Sequence, residues 1–201
     1  VSATYTTKSD FNNLTIGGTN LLTNSDFSDG LKNWNLNGYS NNGDITNADA
    51  TFTSNNHNTL RVNSSGATSC QYRGVYKRVI GDFKKGTPLT MSCLYYVEDS
   101  STVDEGIAIE MKGRVKGGST FQGGLMYSSR SSKSGTLVSK EWSKITGLAI
   151  LKEDYEQLEI LIYVVQNGKV WFAEPKLEKG NKPTDWSPAP EDYSTTTQMN
   201  S

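Results

Sequence analysis

The chain has 201 residues and nearly balanced charge, with 20 Lys and Arg against 21 Asp and Glu. No basic stretch is interleaved with aromatic residues, which argues against a nucleic-acid partner, and the lack of an apolar run of about 18 residues argues against a membrane-spanning helix. His57 is the single histidine, so neither a Ser-His-Asp hydrolase nor a zinc site of the usual His/Cys type finds support.

The two ends of the chain are polar and lack a strand pattern. Residues 1–18 finish in Gly17-Gly18 and predict a linker or a junction with an upstream module. Residues 191–201 predict a second tail or linker. Because the first residue is Val1, we expect the chain to be a piece of a longer polypeptide. A single domain is predicted over residues 19–190.

Strand-like alternation dominates this central region. In Leu89–Val97 every second residue, from Leu89 to Val97, is apolar and predicts one buried face. Ile107–Met111 repeats the pattern, and Asn167-Gly168 lies between two further apolar runs and predicts a hairpin. No segment keeps a helical period for more than two turns. These features predict an all-β fold, a jelly-roll-like antiparallel β-sandwich of about eight to ten strands.

Two cysteines and three prolines near the C-terminus give further predictions about local structure. Cys70 and Cys93 are too few for a disulfide framework, so we expect both to be reduced. Proline cannot donate to a sheet ladder, so Pro183, Pro188 and Pro190 predict that the sheet has ended before them. The chain should then close with an extended strap, anchored by Leu177 and Trp186.

Both ends of this domain carry sequence motifs that resemble those of a known family. Residues 20–34 (NLLTNSDFSDGLKNW) and residues 175–192 (PKLEKGNKPTDWSPAPED) resemble carbohydrate-binding modules of tail and baseplate proteins of phages that infect Gram-positive bacteria. The resemblance brackets nearly the whole chain. It departs from the family at Pro88-Leu89, where an aromatic residue is common.

The resemblance implies a non-catalytic module that adheres the virion to host cell-wall polysaccharide. It would belong to a receptor-binding, distal tail or baseplate protein or a tail-associated lysin, and would lie in the virion tail among other tail proteins. Similar modules attached to glycan-degrading enzymes bind glycan on a concave sheet. Two alternatives stay open: a structural tail decoration that binds another tail protein, and a glycan-degrading domain. Paired carboxylates could cleave a glycan, but no constellation of Asp104, Glu105 and Glu110 marks such a site, so we expect no enzyme.

A sugar site needs aromatic platforms beside polar side chains. In the enzyme-linked modules a Trp-x-Gly often supplies a platform where this chain has Tyr72, with Arg73 beside it. Tyr72 could instead cover a sheet edge. Tyr96, Glu110 and Tyr163 lie opposite the predicted core faces, and we expect them to meet across strands if those faces line one sheet. Otherwise the two tyrosines pack under a loop.

For three further aromatic residues the sequence pattern does not decide between a sugar-binding and a structural role. Phe121 and Tyr127 lie in a Gly/Ser-rich stretch, residues 117–135, that predicts a long hairpin with a mobile tip or a mere linker. Trp171 fits a core position and a sugar platform equally well. The other three tryptophans lie within sequence motifs of the resembling family. We expect them to have a structural role, anchoring the two ends of the domain and a strand: Trp34, Trp142 and Trp186.

No organic cofactor is expected, but one metal is considered. Enzyme-linked modules of similar fold commonly hold a structural Ca²⁺ between the first and last strands, and Asp26 and Glu174 are the nearest candidates here. The alternative is that both are surface carboxylates, since the family has Asp near the last strand where this chain has Glu174.

Overall fold

A computed structural model describes residues 18–193 and contains two five-stranded antiparallel sheets. The predicted linker, apart from Gly18, and the last eight residues of the predicted tail lie outside the described residues. The strands are β1 (Asn35–Asn37), β2 (Thr46–Ser54), β3 (His57–Ser64), β4 (Arg73–Phe83), β5 (Pro88–Val97), β6 (Ile107–Val115), β7 (Gln122–Arg130), β8 (Ser143–Ile150), β9 (Tyr155–Val164) and β10 (Gly168–Lys179).

The two sheets pack face to face as a sandwich. The first sheet has the strand order β1-β4-β9-β6-β7 and the second has β2-β3-β10-β5-β8. Most connections from β3 onward therefore cross from one sheet to the other. The predicted antiparallel, jelly-roll-like sandwich is confirmed, and the ten strands fall within the predicted number.

The core between the sheets is built from the predicted alternation. Leu89, Met91, Cys93, Tyr95 and Val97 are all buried, while Tyr96 points to the outer face of the second sheet. A second apolar cluster lies on the outer face of the first sheet and consists of Ala108, Leu161, Tyr163 and Val165. One sheet thus has an apolar outer surface that is separate from the core.

The predicted Asn167-Gly168 hairpin is wrong. The strands on either side, β9 and β10, belong to different sheets, so this segment crosses the sandwich. Its Asn side chain donates to Asp104 Oδ2 at 2.9 Å and to the Ala67 carbonyl at 2.8 Å. These contacts with two neighbouring loops fix a crossover where the dipeptide alone indicates a tight turn.

The Gly/Ser-rich stretch is also more regular than predicted. Its centre forms β7, which pairs with β6 along the edge of the first sheet, so Tyr127 lies on a strand and not at a mobile tip. Pairing with β6 satisfies backbone groups that the local composition would leave to solvent, so tertiary context overrides composition here.

The C-terminal segment forms the predicted strap across the second sheet. β10 ends at Lys179, before all three prolines, and the Trp186 indole donates to Ser25 Oγ at 3.0 Å. Beneath the strap the Lys176 ammonium donates to Thr184 Oγ1 at 2.8 Å and lies 3.7 Å from the Glu178 carboxylate. The strap therefore covers a buried charge pair on the outer face of the sheet.

Asn20 ties the first described residues to the strap and to β10. Its buried amide donates to Ser25 Oγ at 3.1 Å and to the Ser187 carbonyl at 2.9 Å, and its oxygen accepts from the Leu177 amide at 3.2 Å. Nearby, the Ser187 hydroxyl donates to the Gly18 carbonyl at 3.3 Å. The two ends of the domain are thus held side by side.

Lys77 of β4 is a charged residue in a buried, inward position. It is buried, donates to the Asn33 carbonyl at 3.0 Å and lies 5.0 Å from the centre of the Trp34 ring. Burial disfavours the ammonium and lowers the pKa of Lys77 to about 8 from 10.5, although Asp192 acts in the opposite direction.

This burial predicts a pH effect on stability. Between pH 8 and 10.5 the unfolded chain binds more protons at Lys77 than the native protein does. The free energy of unfolding should therefore rise as the pH is raised, by about 2 kcal/mol between neutral pH and about pH 9.5. Urea unfolding of wild type and of Lys77→Met measures this difference. The exposed Lys182→Met is the control and should keep the wild-type slope; equal slopes in wild type and Lys77→Met would contradict the prediction.

Both cysteines are free, as predicted, with Cys93 buried in the core. Burial raises the pKa of the Cys93 thiol, which keeps it protonated. Among residues 18–193, no helix has the length and apolar character needed to cross a membrane.

Candidate functional site

A cavity with a volume of about 620 Å³ lies on the outer face of the first sheet. Four of the eight predicted sugar-binding residues line it. The lining residues are Asn37, Gly38, Tyr39, Tyr72, Glu110, Lys112, Tyr127, Leu161 and Tyr163. Its size is in the range of pockets for small ligands. We refer to it as the tyrosine cavity.

Glu110 and Tyr163 meet across strands, as predicted. They lie on the neighbouring strands β6 and β9, and the Tyr163 hydroxyl donates to Glu110 Oε1 at 3.2 Å. Burial, with a further contribution from the Glu110 carboxylate, raises the pKa of the Tyr163 phenol. The Lys112 ammonium lies 3.8 Å from Glu110 Oε2. The floor of the cavity therefore presents a carboxylate held between a hydroxyl donor and an ammonium.

Tyr72 stands over this floor because of its backbone. Its φ of 54° is left-handed, a conformation that non-glycine residues rarely adopt, and its ring meets the Tyr163 ring edge-on at 5.7 Å. The second residue of β4 must be glycine, since a Cβ on Gly74 would lie 2.0 Å from the Ile162 carbonyl oxygen. The chain thus approaches β9 closely enough to place the Tyr72 ring against the cavity wall. Strained backbone of this kind is often found at binding sites.

Tyr39 was not predicted from the sequence but lines the same cavity. The turn that carries it packs against Tyr72, because a Cβ on Gly38 would lie 2.5 Å from the Tyr72 carbonyl oxygen. The sequence feature that could have identified Tyr39 is an aromatic residue directly after the turn-forming dipeptide Asn37-Gly38. Arg73, by contrast, does not line the cavity. It is buried and donates to the Tyr39 carbonyl at 3.0 Å, so it positions the loop that carries Tyr39.

Tyr96 and Trp171 lie on the outer face of the second sheet, so the expected meeting of Tyr96 with Glu110 and Tyr163 is wrong. They form a cluster of four half-buried rings with Phe52 and Trp142, and the shortest distance between ring centres is 4.4 Å, from Phe52 to Trp171. The ring of Trp142, for which the sequence predicts a structural role, packs beside Tyr96 in this cluster, which we call the aromatic cluster.

The aromatic cluster is held by a charged neighbour. The Trp171 indole donates to Asp49 Oδ2 at 3.0 Å. Partial burial acts to raise the pKa of Asp49, but hydrogen bonds from Thr51, Trp171 and the Phe52 amide outweigh it and lower the pKa to about 2. Asp49 therefore remains ionised and fixes the orientation of the Trp171 ring.

Phe121 lies just before β7, away from the tyrosine cavity. The Arg78 guanidinium covers its ring at 4.6 Å and also donates to Glu159 at 3.0 Å. Phe121 therefore packs against an arginine on the first sheet.

Comparison with known proteins was made at the level of sequence and of structure. No family model and no curated protein matches the chain. Among solved structures, the CBM22-1 xylan-binding domain of Xyn10C from Paenibacillus barcinonensis superposes with a TM-score of 0.53 at 13% identity, over 83% of this chain and 97% of that domain. These similarities establish the fold.

Two further similar structures have different functions. The apo form of a cyclase from Fischerella sp. gives a TM-score of 0.60 at 12% identity, over 84% of this chain and 98% of the cyclase. The enzymatically active domain of bacteriophage CBA120 tailspike protein 4 gives 0.57 at 8% identity, over 80% of this chain. The chain spans about a fifth of that tailspike chain, since 21% of it is covered.

The predicted calcium ion does not fit at Glu174. Its carboxylate accepts from His57 Nδ1 at 2.8 Å and from Asn55 Nδ2 at 3.0 Å, whereas Ca²⁺ requires six or more oxygen ligands. The other candidate, Asp26, accepts from the Ser28 amide at 3.0 Å and closes a local turn. Over residues 18–193, no group of three or more His, Cys, Asp or Glu side chains could hold a metal ion.

The tyrosine cavity is equipped for recognition of a hydroxylated ring. Three tyrosines, Tyr39, Tyr72 and Tyr127, expose aromatic surface at its rim. Glu110 is the single carboxylate among its lining residues in the described part of the chain. The cavity therefore combines aromatic surface with one carboxylate and one ammonium, groups that suit contact with a hydroxylated ring.

Proposed function

We propose that the chain is a non-catalytic carbohydrate-binding module of a phage tail or baseplate protein, which adheres the virion to the wall polysaccharide of a Gram-positive host. The observation that carries the proposal is the tyrosine cavity. It combines exposed aromatic faces, which suit the C–H face of a sugar, with Glu110 and Lys112, which suit its hydroxyl groups.

The place in a phage tail is supported by two separate facts. The sequences at both ends of the domain resemble phage tail modules, and a domain of similar fold occurs in the tailspike of bacteriophage CBA120. A virion tail carries many copies of its components. Single sites of about millimolar to micromolar affinity would then suffice, because multivalency raises avidity without new contacts.

The direct test is binding of the fluorescently labelled domain to Gram-positive cells, before and after chemical removal of the wall polysaccharide. Binding that disappears with the polysaccharide is the expected result. The domain is also presented as a multimerised fusion, so that weak single-site affinity does not mask binding. If the fusion binds no cells of any candidate host, the adhesion proposal is overturned.

The Tyr163 hydroxyl allows a finer test of the cavity. Tyr163→Phe removes the hydrogen bond that orients the Glu110 carboxylate but keeps the ring that packs against Tyr72. We expect polysaccharide binding to weaken by about 10-fold, since a hydrogen bond to a charged group contributes about 1.5 kcal/mol at the lower end of its range. Affinity electrophoresis in polysaccharide-containing gels measures this ratio. A variant that binds as tightly as wild type would show that the hydrogen bond from Tyr163 to Glu110 does not contribute to ligand binding.

A structural tail decoration is the second candidate function. Leu148 and Ile150 are both exposed and lie on one face of β8, an edge strand of the second sheet. An exposed apolar pair beside unpaired backbone suits contact with another tail protein. Retention of the domain on purified tails, with no dependence of adhesion on polysaccharide, would favour this function.

A further inference from the structure

A second cavity lies on the outer face of the second sheet and has a volume of about 430 Å³. The turn between β2 and β3 supplies Asn55, the first residue of β3 is His57, and the strap supplies Asp185 and Trp186. Glu174 of β10 also lines it. The tyrosine cavity lies on the other sheet, so the two cavities face away from each other. We refer to this one as the histidine cavity.

Glu174 occupies the histidine cavity because β10 is irregular there. The pairing of β10 with β5 shifts between Ala173 and Lys176, and Glu174 has a left-handed φ of 51°. Its side chain is 10% exposed and accepts from His57 Nδ1 at 2.8 Å and from Asn55 Nδ2 at 3.0 Å. The bulge thus turns a carboxylate toward the only histidine of the chain.

This contact defines the hydrogen-bonding character of His57. An ionised carboxylate only accepts hydrogen bonds, so the neutral imidazole carries its proton on Nδ1. Its Nε2 atom is then an acceptor, and it has no hydrogen-bond partner within residues 18–193. A buried carboxylate that orients a histidine prepares the opposite nitrogen for a donor, and a sugar hydroxyl is such a donor.

Trp186 provides an aromatic surface beside this acceptor. Its indole nitrogen is anchored on Ser25 Oγ, and its ring centre lies 4.5 Å from the centre of the His57 ring. The charged groups that line the cavity are the carboxylates of Glu174 and Asp185 and the ammonium of Lys144. With a neutral imidazole the carboxylates outnumber the cation, which disfavours an anionic ligand. An uncharged, hydroxylated ring fits all these groups.

We infer that the histidine cavity is a second saccharide site, in which a neutral sugar packs on Trp186 and donates a hydroxyl to His57 Nε2. The ligand class rests on the proposed function, but the residues are independent of the tyrosine cavity. The aromatic cluster lies on the same outer face of the second sheet. Tyr96 is two residues from Leu94 on β5, and Trp171 is three residues from Glu174 on β10. One domain would therefore hold glycan on both of its faces.

The single histidine makes the test direct. In ¹⁵N-labelled protein the only imidazole signals arise from His57, and they report its tautomer and its ligand contacts. The probes are neutral oligosaccharides released from the host wall and neutral di- and trisaccharides, at about 10 mM to populate weak sites. We expect the Nε2 signal to shift with at least one probe, in wild type and in Tyr72→Ala/Tyr127→Ala.

Each result decides between the two sites. A His57 shift that survives in the tyrosine double variant supports the second site, even if the tyrosine cavity itself binds nothing. A shift that vanishes in that variant, or no shift with any probe, overturns it. Trp186→Ala could release the strap, so Glu174→Gln is the additional variant. It should weaken the His57 shift while leaving binding at the tyrosine cavity unchanged.

Discussion

Replacing Tyr72 and Tyr127 together by alanine is expected to reduce the affinity of the tyrosine cavity for wall polysaccharide by about 100-fold or more. Both rings border the tyrosine cavity and are exposed, by 42% and 59% respectively. Aromatic residues at the centre of a binding surface commonly contribute about 2 kcal/mol or more each. Since each single site is weak from the outset, the loss of two platforms should leave the tyrosine cavity with no measurable affinity, so any binding that the variant retains arises at the histidine cavity.

The same variant should remain folded. Exposed rings contribute little to the core, so the free energy of unfolding should change by less than about 1 kcal/mol. Affinity electrophoresis gives the binding ratio and urea unfolding gives the stability. Leu148→Ala, an exposed apolar residue on the second sheet, is the control and should bind as wild type. Unchanged binding in the double variant would exclude the tyrosine cavity as the adhesion site.

The second large effect is expected beneath the strap. Lys176→Met should lower the free energy of unfolding by about 3–5 kcal/mol, because it leaves a buried carboxylate without its cation. The side chains of Lys176 and Glu178 are 2% and 0% exposed, respectively. After the substitution only the Thr184 amide and hydroxyl would still donate to Glu178.

A double variant separates the charge pair from general packing. Lys176→Met/Glu178→Gln removes both charges and should recover most of the lost stability, since no unpaired charge remains in the buried site and Thr184 can still donate to the Gln side-chain oxygen. Urea unfolding of the two variants and wild type measures this difference. If both variants are equally unstable, packing of the lysine stem, and not its charge, holds the strap.

The strand faces of this protein could be predicted, but the sheet to which each strand belongs could not. Alternation correctly placed Met91 and Tyr95 in the core, with Tyr96 on the outer face of β5. It also brought Glu110 and Tyr163 together. Alternation describes only one strand, however, and the assignment of β5 and β9 to different sheets depends on contacts far apart in sequence.

Local signals failed where distant partners replaced local ones. The Asn167-Gly168 dipeptide indicates a hairpin. The side-chain amide of Asn167 instead donates hydrogen bonds to Asp104 and to the Ala67 carbonyl, and these stabilise a crossover between the sheets. The histidine cavity was missed for a similar reason. The sequence separates His57 from Glu174 by 117 residues, and only the bulge in β10 turns the carboxylate toward the imidazole.

The bonds of Asn20 have a mechanical consequence. Gly18 and Ser187 lie in contact, so the two ends of the domain leave it at one place. A pulling force applied between those ends would load the contacts of Asn20 and the strap first, and these contacts would break in succession. The sheets would carry little of that load until the strap had been peeled away. Under such a load the chain would extend by several residues at the strap before the sandwich itself unfolds.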